Sequence, residues 1–470
     1  MIMSDDHAAQ AVSAYTSAIN ETPNIDRIAD AGMRFDSCFC TNALCTPSRA
    51  SILTGTYSNV NHVTTLSTHF DSAQPTFISQ LHEAGYQTAI VGKWHLGHGE
   101  SHNPRAFDYW EILPDQGAYH DPVFLTSDGE HTRSGYVTDL ITDMSMEWLD
   151  SIDPDRPFCL LMFHKAPHRS WEPDQRHADM YLKEDIPVPD TFDDSYENRS
   201  KAPAAAKMRV GEHLYKRDLK QDPPEGLSDD EYAAWAYQLY IKDYLRCVAS
   251  IDDNVGRFLD YLERRGIEDE TLVSYTSDQG FFLGEHGWYD KRFMYEESLR
   301  MPLVMSYPPE IAPGTHSDAI VANVDFAQTF LDIADVPNLS RMQGRSMRRL
   351  FSDPKPEDWR TSLYYRYWEH DDGIHHVWAH YGIRTEKYKL IYYYNDGLGL
   401  RGAAKTTYEP EWEMFDLEND PHEMVSIYDH PDYADVQRDL HAELVRAQRD
   451  VGDAPHHTDT RARASDKRGD

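Results

Sequence analysis

The chain has 470 residues and a formal charge of −35, from 80 acidic and 45 basic side chains. So acidic a surface excludes nucleic acid and anionic membranes as partners, and no apolar stretch is long enough to span a bilayer. The five cysteines, Cys38, Cys40, Cys45, Cys159 and Cys247, are odd in number and form neither a zinc ribbon nor a disulfide framework.

In chain order, Met1 to Asp6 reads as the end of a buried strand that delivers two carboxylates to its C-terminal edge. Because Met1-Ile2-Met3 runs straight into Ser4-Asp5-Asp6, no export signal is visible. As written the protein is expected in the cytoplasm, and exported if an upstream signal has been lost. Thr22 to Gly32 has a cap, a proline at the first position and an apolar stripe, and so predicts a helix. Pro75 to Ala84 predicts another, followed by a strand over Tyr86 to Gly92. Thr138 to Ile152 reads as a helix and Phe158 to His164 as a central strand. Trp171 to about Asp230 has little periodicity. Asp230 to Arg265 is the longest helical pattern, with a break expected at Asp252-Asp253. Thr271 to Ser277 and Pro302 to Met305 read as core strands. This β-α-β rhythm predicts an α/β fold, a sheet with helices on both faces. From Trp359 the character changes: Ser362 to Trp368, Tyr381 to Arg384, Tyr388 to Tyr394 and Glu413 to Leu417 suggest a small antiparallel sheet, with a terminal helix over Tyr433 to Val451.

Six stretches carry chemistry. Cys45-Thr46-Pro47-Ser48-Arg49-Ala50-Ser51-Ile52-Leu53-Thr54-Gly55 reads as a loop feeding a short helix. Pro47 is pre-set for the first turn and Gly55 is a stop. Cys45 then sits at a helix N-terminus, where an anion is favoured, and Arg49 one turn on reaches the same anion as a planar fork. Asp5-Asp6 and Asp278-Gln279 end separate strands of one sheet. The carboxylates would repel, and a hard cation resolves this; an all-oxygen set with neutral Gln279 suits calcium better than magnesium. In Gly92-Lys93-Trp94-His95-Leu96-Gly97, a lysine and a histidine two apart in an extended segment face the same way. His164-Lys165-Ala166-Pro167-His168 follows an apolar strand, and Gly284-Glu285-His286-Gly287-Trp288-Tyr289-Asp290-Lys291 follows Asp278. Taken singly, each has a plainer reading: a buried cysteine, a capped turn, a core histidine, a solvated lysine.

Together these motifs, in this order, resemble those of the type I, formylglycine-dependent sulfatases. The densest match is C-x-P-S-R followed by A-S-I-L-T-G. The resemblance implies an alkaline-phosphatase-like sandwich, with a large mixed, mostly parallel sheet between helices plus a small C-terminal antiparallel sheet subdomain. It would divide the chain into a catalytic domain over 1–360 and a C-terminal subdomain over 361–451, and the polar, apolar-poor composition of 452–470 predicts a disordered tail. The first strand is truncated relative to the family, and about 171–230 is an irregular insertion. The resemblance further implies that a formylglycine-generating enzyme oxidises Cys45 to formylglycine. Hydrated, this gives two oxygens: one attacks sulfur in line, and the other later expels sulfate. One calcium ion would be held by Asp5, Asp6, Asp278, Gln279 and the modified Cys45. The family usually has Asp-Asn or Asp-His where this chain has Asp278-Gln279. Arg49 would stabilise the hydrated aldehyde without being needed for folding. Lys93 and Lys291 would contact the sulfate, His95 would be the general base, and His168 would meet the ester oxygen. His168 or Lys291 would protonate the departing alcohol.

Phe107 to Pro114, with Gln116 to Tyr119, resembles segments of bacterial glycan sulfatases, including N-acetylglucosamine-6-sulfatases. The expected substrate is thus a sulfated carbohydrate or another sulfate ester, with Tyr119, His120, Trp171, Trp368, His375 and His376 as candidate sugar-stacking groups. Two other functions use the same motifs: a phosphonate monoester or phosphodiester hydrolase, and a non-catalytic glycan-binding relative.

Overall fold

A computed structural model describes residues 1–460. A ten-stranded sheet runs in the order Thr315–Ser317, Met33–Phe35, Leu303–Ser306, Val273–Ser277, Ile2–Ser4, Phe158–Phe163, Gln87–Lys93, Tyr109–Leu113, Val123–Thr126, Gly129–Thr132. From Val273–Ser277 to Tyr109–Leu113 the central strands are parallel, and antiparallel pairs flank them on both sides. Ile2–Ser4 is short but central, pairing in parallel with both neighbours.

Alternate side chains on these strands enter opposite layers. Ile2, Val91 and Met162 join one apolar cluster; Met3, Ile90 and Phe163 join the other. The first is covered by helices Pro23–Asp30, Val137–Ser151 and Asp229–Arg265, the second by Cys45–Thr54, Phe77–Glu83 and Asp325–Ile333. The 171–230 stretch contains three short helices, Lys201–Ala205, Val210–His213 and Lys216–Leu219.

The break expected at Asp252-Asp253 is absent: Asp229–Arg265 is one continuous helix of 37 residues. Asp252 is buried on that helix and serves a neighbouring one. Its carboxylate accepts hydrogen bonds from the backbone N–H groups of Asn24 (3.0 Å) and Ile25 (2.8 Å) and so caps Pro23–Asp30. Thr22, the expected cap, makes no capping bond, and its hydroxyl instead accepts from Ser13 N–H. Asp252→Ala is therefore expected to cost about 1–2 kcal/mol in denaturant unfolding, the usual range for a lost cap. The adjacent Asp253→Ala should stay within about 0.5 kcal/mol of the parent protein. Equal midpoints for the two variants would refute the capping role.

Strands Ser362–Tyr367, His380–Thr385, Tyr388–Tyr393 and Glu411–Asp416 form a four-stranded antiparallel sheet packed by helix Ala434–Asp450. Its apolar residues are continuous with one cluster of the large sheet. Residues 452–460 depart from the disorder expected of them, because polar side chains tie them to this sheet. Asp453 accepts from Tyr364 and Arg366, Asp459 from Tyr381, and Thr458 hydrogen-bonds Tyr392. The rest of the expected tail, 461–470, lies outside the described residues.

Candidate active site

Four adjacent strands end at one edge of the sheet and deliver Asp5, Asp278, His164 and Lys93. Backbone bonds lock these ends together: Asp5 N–H donates to Ala166 O (3.2 Å) and Asp278 N–H to Ser4 O (3.3 Å). Gly92 is required here, since a Cβ would lie 2.0 Å from the carbonyl oxygen of Phe163 at a φ of +105°.

Helix Cys45–Thr54 begins at Cys45 and ends at Gly55, whose φ of 63° is the left-handed stop expected from the sequence. Its second turn is pinned to the strand edge. Ser48 Oγ donates to the carbonyl of Asp278. Arg49 Nε donates to Asp278 Oδ2 (3.0 Å), Nη2 to Asp5 Oδ2 (3.2 Å) and Nη1 to Lys93 O (2.6 Å). The Cys45 thiol is buried and makes no hydrogen bond among the described residues.

Two further cations neutralise the acids. Lys93 pairs with Asp5 and reaches Gln116 Oε1 (2.5 Å); Lys291 Nζ lies 2.5 Å from Asp6 Oδ1. The Gln279 amide nitrogen donates to Asp6. His168 donates through Nδ1 to Arg169 O (2.8 Å), which turns Nε2 towards Asp6, 3.7 Å away. His95 lies by Thr46, with Nδ1 3.3 Å from its hydroxyl. The φ of His95 is 53°, so Lys93 and His95 reach the site through a turn, not through the strand alternation read from the sequence.

Burial alone would raise all three carboxyls. At Asp5 it is more than offset by Lys93, Arg49 and Lys291, which hold it well below the usual range. At Asp6 burial, with repulsion from Asp5, Asp278 and Asp290, outweighs Lys291 and pushes the carboxyl up to about 7. Asp278 is likewise raised, by burial and by Asp5. Burial and nearby Lys93 hold both His95 and His168 well below the usual imidazole range, so both are neutral. Burial pushes the Cys45 thiol up to about 11.

The donor set fits a hard cation. Asp5 Oδ1 and Gln279 Oε1 are buried oxygens with no hydrogen-bond partner, and two of the three carboxyls resist ionising beside one another. Asp5, Asp6 and His168 bring ligand atoms within 4.8 Å of one another.

The structure thus gathers Asp5, Asp6, Cys45, Arg49, Lys93, His95, His168, Asp278, Gln279 and Lys291 at one strand edge. It buries or covers four of the six expected sugar-stacking groups, Tyr119, Trp171, Trp368 and His375. Trp171 is buried against Tyr240, Tyr119 is buried, and the Arg366 guanidinium lies 3.6 Å over Trp368. His375 is buried between Asp290 and Asp372. His120 is exposed and His376 half-buried, paired with Asp371. Sequence reasoning passed over Asp290, which has a φ of 78° and accepts from the Lys291 N–H (2.8 Å) and from Arg292 Nε (3.0 Å). Its only sequence signal was its place beside Lys291.

Residues 1–336 match the family model for sulfatases, and residues 284–450 match the model for the C-terminal part of N-sulphoglucosamine sulphohydrolase. The N-acetylglucosamine-6-O-sulfatase of Bacteroides thetaiotaomicron is 42% identical over 499 residues, covering 96% of this chain and 86% of that protein. A solved structure of a protein in complex with its substrate D-glucosamine-2-N,6-O-disulfate aligns with a TM-score of 0.87 at 41% identity, over 96% of this chain and 97% of that one. A phosphonate monoester hydrolase from Silicibacter pomeroyi shares the fold, with a TM-score of 0.75 at 18% identity over 95% of this chain and 94% of that one.

Proposed function

The chain belongs to the sulfatase family and is a sulfuric ester hydrolase, and from that premise we propose that its substrate is a carbohydrate O-sulfate, foremost a 6-O-sulfated glucosamine. The observation that carries this reading is 42% identity, across 96% of the chain, to a relative named for that activity.

Cys45 is the nucleophile position. A thiol pushed up to about 11 by burial keeps its proton near neutrality and attacks poorly. Conversion to formylglycine by a generating enzyme would supply hydroxyl oxygens in its place. Asp5, Asp6, Asp278 and Gln279 would hold calcium, which draws electron density from the sulfate when bound.

The chain's own side chains do the rest. Arg49 fixes Asp5 and Asp278 and keeps a positive charge one turn from Cys45. Lys93 and Lys291 face the non-bridging oxygens as charge moves towards the leaving group. Burial would lower Lys291, but Asp6 and Asp290 more than offset this and keep its ammonium charged. His95, held neutral, takes up a proton near Cys45. His168, whose Nε2 is turned into the site by the Nδ1 bond to Arg169 O, would meet the bridging oxygen; in its neutral form that nitrogen carries a lone pair, so it must gain a proton before it can donate one.

The test is sulfate release from N-acetylglucosamine 6-sulfate and from glucosamine 2-N,6-O-disulfate, beside matched aryl sulfate and aryl phosphonate esters. The 6-O-sulfated sugars should be turned over, and the aryl sulfate should exceed the phosphonate by about 100-fold, roughly 2.7 kcal/mol of barrier. Turnover of the aryl sulfate alone would overturn the sugar assignment. Faster phosphonate cleavage would favour the hydrolase with which this chain shares its fold.

A further inference from the structure

Among the described residues, Lys93, Lys165 and Lys291 stand at the catalytic strand edge, and two of the three have a counter-ion there. Lys93 is paired with Asp5 and Lys291 with Asp6. Lys165, three residues before His168, is 3% exposed, and among the described residues its ammonium has neither a carboxylate within ion-pair distance nor a hydrogen-bond acceptor. It lies over the face of Tyr119, with the ring centre 4.7 Å away. Tyr119 in turn donates its hydroxyl to the carbonyl oxygen of His168 (2.6 Å), so lysine, ring and histidine form one unit. Burial and neighbouring Lys93 pull the Lys165 ammonium down to about 8, while Asp5 and Glu172 oppose them from a distance.

An ammonium on a side chain this buried, with no counter-ion beside it, gives up part of its hydration in the folded protein. Such a group persists where something brought to the site supplies the missing anion. Lys165 and His168 share the loop that follows strand Phe158–Phe163, and Tyr119 touches both. We propose that Lys165 is a further catalytic residue, which touches the substrate on the leaving-group side of the sulfate and offsets the negative charge that builds on the bridging oxygen. This rests on the reading that the bridging oxygen meets His168.

The role predicts a dependence on the leaving group. A sugar alkoxide is strongly basic and needs the charge; a nitrophenolate hardly does. Lys165→Met is expected to lower kcat/KM for N-acetylglucosamine 6-sulfate and for a simple alkyl sulfate by about 100-fold, and for 4-nitrophenyl sulfate by less than about fivefold. Lys165→Arg keeps the charge and should recover about tenfold of that loss. Because the ammonium has no partner to leave behind, Lys165→Met should unfold at the same temperature as the parent protein or a higher one. Equal losses on alkyl and aryl sulfates, or a loss confined to the N-sulfated sugar, would overturn the proposal. So would a lowered unfolding temperature together with unchanged selectivity. If the parent protein cleaves alkyl and aryl sulfates but no sugar sulfate, the substrate reading fails and the alkyl–aryl comparison still decides the role of Lys165.

Discussion

Replacing Cys45 by alanine is expected to abolish sulfate release, by about 10⁴-fold or more in kcat, while leaving the fold intact. The two halves of this expectation have separate causes. The fold does not use the thiol: Cys45 opens helix Cys45–Thr54, the first-turn bond runs from Ser48 N–H to Leu44 O (2.9 Å), and the sulfur makes no hydrogen bond. Alanine is the best helix former, and the missing sulfur leaves a gap beside groups that water can solvate. Turnover, by contrast, has no substitute nucleophile. Thr46 is occupied by His95 and Ser48 by the Asp278 carbonyl. Protein carrying an unmodified Cys45 should be as inactive as the alanine variant, since burial keeps the thiol protonated at neutral pH. The measurement is kcat beside the mass of the peptide that contains residue 45. Activity should scale with the fraction that shows thiol-to-aldehyde conversion, and full activity in thiol-only protein would remove Cys45 from the reaction.

The site was more legible in the sequence than the packing around it. Asp5, Cys45, Lys93, His168 and Lys291 each lie in a dense local motif, and the β-α-β rhythm places strand ends at a common edge, so the cluster could be read without knowing any contact. What escaped was long-range. Asp252 looks like a helix breaker because its partners, Asn24 and Ile25, are more than 200 residues away. Trp171 looks like a sugar platform until Tyr240 covers it. Residues 452–460 look like a disordered tail because they carry few apolar side chains; their anchors are the tyrosines and Arg366 of a sheet the local composition does not reveal. Lys165 was hidden in a motif already quoted, since only the structure reveals that Lys93 and Lys291 have counter-ions and that Lys165 has none among the described residues.

Arg49→Ala is expected to remove activity by about 10³-fold, as the loss of a preorganised charge at a buried reaction centre does, and also to lower stability. The sequence suggests an arginine that the fold can spare; its surroundings argue the opposite. Arg49 is 1% exposed and bridges Asp5, Asp278 and the carbonyl of Lys93, joining one helix to three strands. Removing one partner of a buried ion pair leaves the other charges uncompensated and costs about 3–5 kcal/mol. Asp5 and Asp278 then repel more strongly, because Lys93 pairs with Asp5 but no arginine bridges the two acids, and a divalent cation can take over that bridging charge. Calcium should accordingly raise the unfolding temperature of Arg49→Ala by more than it raises that of the parent protein, because the arginine no longer competes for the same oxygens. Arg49→Lys, which keeps the charge but loses the fork, should recover much of the stability and little of the turnover. Thermal unfolding of the three proteins with calcium and with chelator separates these contributions. If Arg49→Ala is as stable as its parent and responds no more strongly to calcium, then Asp5 and Asp278 are not the paired acids that the arginine and the cation share.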